Sequence, residues 1–128
     1  MILLDTHILV WWVNQELKLS ATQKASIENA SAVAISAISL WEIAKLVEHQ
    51  KLSLNLPVLD WINVALTHPK IQVIPLHPEI IVASTQLPGT FHKDPADQII
   101  VATAMYLNVP LLTKDAKILA YSHVNSIG

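Results

Sequence analysis

Four carboxylates stand at matching places along this 128-residue chain. Asp5 follows the aliphatic run Ile2-Leu3-Leu4. Glu42 falls near the start of an apolar helical pattern, Asp97 closes the helix-start signal Asp94-Pro95-Ala96-Asp97, and Asp115 follows the apolar stretch Val109–Thr113. If these side chains converge out of water they repel, because each ionised group opposes the ionisation of the next. A divalent cation resolves the conflict by accepting hard oxygen ligands. Mg²⁺ or Mn²⁺, one or two per site, suits carboxylates and water better than it suits six scattered histidines. Such an ion can bind a phosphate oxygen, activate water and stabilise a leaving oxygen, and two ions about 4 Å apart can divide those roles.

Around the four acids stand groups that could support them. Thr6 and Thr113 offer hydroxyls to the carboxylates or to bound water, and Lys114 could meet a phosphate. Asp94 shapes the helix start or backs the site from behind. His7 and His92 lie near the same rim in sequence, but no local spacing requires them for catalysis. Each acid also has a plainer reading. Asp5 ends a strand, Glu42 sits three residues after Ser39 as in a capping box, Asp94 and Asp97 can serve helix initiation alone, and Asp115 can cap a short helix. A shared rim, rather than any single acid, carries the functional reading.

Composition narrows the alternatives. Without cysteine there is no disulfide, thiolate nucleophile or zinc–sulfur site. All eight basic residues are lysines, so this chain supplies no bidentate arginine clamp. A net charge of −2 gives no bulk attraction to nucleic acid, and polyanion contact must be local or mediated by a cation. Hydrophobic residues make up 52% and charged residues only 14%. About a quarter or more is usual for an exposed surface, so part of this one is expected to lie under a partner. Neither a 20-residue apolar span nor a secretory leader is legible, and a soluble cytoplasmic protein with no membrane contact is expected.

The elements that must position the acids follow from periodicity. Met1–Asp5 and Val33–Ser36 read as buried strands and Ile71–Ile74 and Val109–Thr113 as further strands, with a weaker edge strand over His123–Ile127. Helices are expected over Thr6–Asn14 with Thr6 as the cap, from Ser20 to Ala30, from Ser39 through Val47, from Pro57 to Thr67, over Pro78–Gln86, from Asp94 to Leu107, and over Asp115–Ala120. Alternating strands and helices predict an α/β fold with a mostly parallel sheet in a single domain, 1–128. In such a sheet the carboxyl ends of strands and the starts of the following helices share one rim, which is where open α/β sheets place their chemistry.

At these residues the chain resembles the PIN-domain family, and within it the VapC-type toxin ribonucleases of toxin–antitoxin pairs. Leu3-Leu4-Asp5-Thr6-His7 is similar to the family's first acidic motif, and Ile35-Ser36 through Trp41-Glu42-Ile43 to its second. His92-Lys93-Asp94-Pro95-Ala96-Asp97-Gln98, continued by Ile99 to Ala104, is the most specific match, and Leu111-Leu112-Thr113-Lys114-Asp115 resembles the closing motif. One departure is Gln98, where many relatives carry arginine. The resemblance spans Met1 to about Ile118. It implies a three-layer fold, Asp5, Glu42, Asp97 and Asp115 as metal-holding catalytic acids, and Mg²⁺- or Mn²⁺-dependent hydrolysis of RNA. It also implies a homodimer and a protein antitoxin covering the active site. Trp11, Trp12 and Trp41 are the candidate anchors for such a partner, since tryptophan offers large apolar area. The rival readings are a small Mg²⁺-dependent phosphatase using Asp5 as nucleophile, and an inactive PIN-like binding module.

Overall fold

A computed structural model describes residues 1–128. Five strands alternate with seven helices: β1 (Ile2–Leu4), α1 (Thr6–Val13), α2 (Ala21–Asn29), β2 (Val33–Ser36), α3 (Ala37–Glu48), α4 (Val58–Ala65), β3 (Ile71–Ile74), α5 (Pro78–Ser84), α6 (Pro95–Leu107), β4 (Leu111–Leu112), α7 (Ala116–Leu119) and β5 (Ser126–Ile127). The strands form one sheet in the order β3-β2-β1-β4-β5. Every neighbouring pair is parallel, so the sheet is more uniform than the mostly parallel one expected from sequence.

The central strands are apolar at every position because both of their faces are covered. Ile2 and Leu4, Val33 and Ile35, and Leu112 point into one core, which α1 fills with Ile8, Leu9 and Val10 and α4 closes with Trp61 and Ala65. Leu3, Ala34 and Leu111 point into a second core under α6 and α7, with Ile100, Val101, Ala104 and Ile118. This is the three-layer α/β arrangement: helix, sheet, helix. At the sheet edge the pattern changes, and Gln72 and Val73 of β3 are exposed. No helix is long and apolar enough to cross a membrane.

The connectivity fixes where chemistry can sit. From β1 the chain moves outward through β2 to β3, then returns to the other side of β1 for β4 and β5. The order reverses between β1 and β4, and loops leaving their carboxyl ends diverge there to leave a crevice. Hardly any chain intervenes between strand and helix on this edge. Asp5 alone separates β1 from α1, and β2 runs into α3 with no residue between them.

Two caps differ from the sequence reading. Asp5, not Thr6, caps α1: its backbone is extended and its side chain accepts from the Thr6 amide at 2.8 Å. The Ser39–Glu42 capping box does not form. The cap of α3 is Ser36, whose Oγ accepts from the Ile38 amide at 3.2 Å, so Glu42 stands on the second turn. Starting the helix three residues earlier leaves Ser39 and Glu42 free to reach Thr6.

Candidate metal centre

Asp5 sits at the end of the central strand with 7% of its surface exposed. Both of its oxygens are engaged: Oδ1 by the Thr6 amide and Oδ2 by the Thr113 hydroxyl at 2.7 Å. Thr113 in turn accepts from the Asp115 amide at 3.0 Å. With an N–H pointing at its oxygen, the hydroxyl proton is committed to Asp5, so one threonine orients acids from two strand ends. Burial pushes the Asp5 carboxyl above the usual carboxylate range, although the hydrogen bonds from Thr113 and Thr6 oppose that.

Between α1 and α3, Thr6 hydrogen-bonds to Glu42 Oε1 and lies 3.0 Å from Ser39 Oγ. An ionised carboxylate only accepts, so the Thr6 proton goes to Glu42 and Ser39 donates to Thr6. Burial also raises the Glu42 carboxyl. Thr6 and Thr113 thus each place a hydroxyl on one of these carboxylates.

Asp97 is where the repulsion concentrates. It lies in the first turn of α6, 9% exposed, where Asp94 caps the helix by accepting from the Asp97 amide at 3.1 Å. Its carboxyl is pushed up to about 8, first by burial and then by Asp5, Asp94, Asp115 and Glu42. Ligand atoms of Glu42, Asp94 and Asp97 lie within 4.8 Å of one another, and so do those of His92, Asp97 and Asp115. Asp97 is common to both sets. Asp94 therefore does more than start a helix, since it also brings a carboxylate to within reach of Glu42.

Asp5, Glu42, Asp97 and Asp115 line one cleft of about 360 Å³, together with His7, Trp11 and Lys114. All four acids read from the sequence meet there. Two larger clefts, about 410 Å³ beside Trp12 and His68 and about 710 Å³ beside Trp11 and Asn14, gather no such set. The chemistry of the donors fits a hard divalent cation. Oxygen atoms converge, no lysine or arginine salt bridge neutralises them, and beyond the effect of burial their mutual repulsion raises Asp97.

The tryptophans separate. Trp11 is half-buried at the wall of the acid cleft, Trp12 is half-buried with its ring 4.7 Å from that of His68, and Trp41 is 54% exposed beside Lys45. Trp61, which no motif singled out, fills the core and donates to Asn14 Oδ1 at 2.9 Å.

Sequence reasoning left His92 and Gln98 without a role. His92 Nε2 lies 3.0 Å from Asp97 Oδ2, and Gln98 Nε2 donates to the His92 carbonyl at 3.0 Å, tying the loop before α6 to the helix. The only sequence signal was their position on either side of Asp94-Pro95-Ala96-Asp97.

Comparison with known proteins agrees with this geometry. Residues 2–124 match the PIN domain family model. Ribonuclease VapC22 of Mycobacterium tuberculosis is 34% identical over 122 residues, covering 95% of this chain and 92% of that protein. Among solved structures, VapBC2 from Rickettsia felis bound to a fragment of promoter DNA aligns with a TM-score of 0.71 at 19% identity, covering 99% of this chain and 98% of that one. A toxin–antitoxin complex from Klebsiella pneumoniae aligns at 0.70 and 18% identity, covering 100% and 97%. With four acids at one sheet edge and the family match spanning nearly all of its length, this chain belongs to the PIN-domain family, among its VapC-type proteins.

Proposed function

We propose that this protein is a Mg²⁺- or Mn²⁺-dependent endoribonuclease, the toxin of a toxin–antitoxin pair, acting in the cytoplasm as one domain and as a homodimer. The observation that carries the reading is the meeting of Asp5, Glu42, Asp97 and Asp115 in one cleft, with no lysine salt-bridged to any of them. The ribonuclease name of the 34% identical relative supports the substrate class.

Asp5, Glu42, Asp97 and Asp115 would hold the cation, with Asp94 close behind. Once bound, it would supply Lewis acidity to the phosphate and lower the pKa of water at the site. The chain's own part is orientation. Thr113 aims Asp5 and fixes the Asp115 amide, and Thr6 aims Glu42, so the acids are held before any substrate arrives. Lys114, at the cleft wall, would meet a phosphate oxygen of the RNA backbone. Hydrolysis would leave 5′ phosphate and 3′ hydroxyl ends.

An antitoxin covering the cleft would meet Trp11 at its wall and Trp12 and Trp41 nearby in sequence, and exposed Trp41 is the strongest of these anchors. The test of function is purified, partner-free protein on an RNA panel, with and without Mg²⁺ or Mn²⁺, beside an Asp97→Asn control. Metal-dependent cleavage with 3′ hydroxyl ends is expected. Cyclic phosphate ends, or equal cleavage by the control, would reject the mechanism.

A further inference from the structure

The proposed centre is built from oxygen donors, yet a nitrogen stands inside it. His92 Nε2 is buried from solvent and has no hydrogen-bond partner. Asp97 Oδ2 approaches it to 3.0 Å, but off the line that a ring N–H would need, so the contact leaves the nitrogen unsatisfied. Buried polar atoms are nearly always paired, and an exception calls for an explanation. The candidate ligand atoms of His92, Asp97 and Asp115 lie within 4.8 Å of one another, a spacing that one cation can bridge. The ring is also held in place: Phe91 packs against it at 4.5 Å between centroids, and Gln98 fastens its backbone carbonyl.

We propose that His92 Nε2 is a direct ligand of the divalent cation, and that this mixed nitrogen–oxygen shell selects Mn²⁺ over Mg²⁺. The inference rests on the metal dependence proposed above. Mg²⁺ keeps oxygen ligands and water, whereas affinity for imidazole rises from Mn²⁺ along the first transition row. A lone nitrogen among the acids therefore discriminates where another carboxylate would not. It also gives Gln98 a part: by tying the loop to α6 it sets the position of the imidazole.

The test is pulsed electron paramagnetic resonance on the full-length, partner-free chain loaded with Mn²⁺, with and without ¹⁵N-histidine. Coupling from a directly bonded nitrogen is expected, changing with the label. It should vanish in His92→Gln and persist in His7→Gln, which alters the other histidine at this cleft. Calorimetry should show the Mn²⁺-to-Mg²⁺ affinity ratio falling by about tenfold or more in His92→Gln. If His92→Gln misfolds, labelled His7→Gln decides the question: coupling that persists there is assigned to His92, and coupling lost there overturns the assignment. Mn²⁺ bound without nitrogen coupling, or coupling that survives in His92→Gln, would overturn the His92 assignment and leave the metal-dependent reading standing. No Mn²⁺ binding at millimolar concentration would overturn both.

Discussion

Replacing Asp97 with Asn should stabilise the metal-free protein, and by more as the pH rises. The Asp97 carboxyl is raised from 3.8 to about 8 in the native site, first by burial and then by the neighbouring acids. Between those values the folded chain holds a proton that the unfolded chain has released, so stability falls as pH climbs through the window. Below about 4 both states are protonated and the effect is absent. A gap of about 4 pH units corresponds to a ceiling of about 6 kcal/mol. One side of the cleft admits water, so we expect ~2 kcal/mol between pH 5 and pH 8 after screening. Asn keeps the shape and removes the charge, and its stability profile should be flatter by that amount. Urea unfolding in chelator, followed by tryptophan fluorescence across this range, measures it, with buried Trp61 reporting on the core. Saturating Mn²⁺ at a hundred times its Kd should restore about 2.7 kcal/mol to the wild type and much less to the variant. A wild-type–variant difference that stays constant with pH, or that grows in acid, would refute the account of mutual repulsion.

Asp5→Asn should cost more than the ~10–100-fold typical of a supporting residue, measured as Mn²⁺-dependent RNA cleavage by the folded variant. A wild-type rate would remove Asp5 from the site. Thr113→Val takes the donor from buried Asp5 and the acceptor from the Asp115 amide, and should cost about 1–3 kcal/mol in urea unfolding. The same variant should bind Mn²⁺ about 10–100-fold more weakly by calorimetry, and unchanged affinity would contradict the orienting role. Trp41→Ala should move stability by less than about 0.5 kcal/mol, because the side chain is exposed. Its binding to the antitoxin should weaken by about 2 kcal/mol or more, and unaltered affinity would exclude Trp41 as an anchor.

The strands were legible because continuous apolar runs, rather than alternating ones, are what a sheet covered on both faces requires, and Ile2–Leu4 and Val33–Ser36 form as read. The rim of acids followed from topology alone, since parallel strands bring their carboxyl ends together whatever their order. Local chemistry at that rim was harder to read. Ser39 and Glu42 have the spacing of a capping box, but tertiary contact won: Ser36 caps the helix and the pair turns inward to Thr6. At Ser20 and Gln23, where only a cap at Ser20 was read, the same spacing does form a capping box at the start of α2. His92 was opaque for a different reason. It lies in a loop, and nothing in a loop's periodicity states which way a ring will face. Trp61 escaped because no motif marks it, yet it is the tryptophan that α4 buries.

The near-absence of linking chain between β1 and α1, and between β2 and α3, bears on how such a protein is kept silent. Enzymes that switch themselves off commonly move a lid or relax a flexible segment carrying the reactive groups. Here Asp5 and Glu42 are set by the junctions of packed elements, and shifting either means unmaking the interior. If the protein is the toxin proposed above, a weapon with no safety catch of its own would be sheathed from outside, by whatever fills the crevice or withholds the ion.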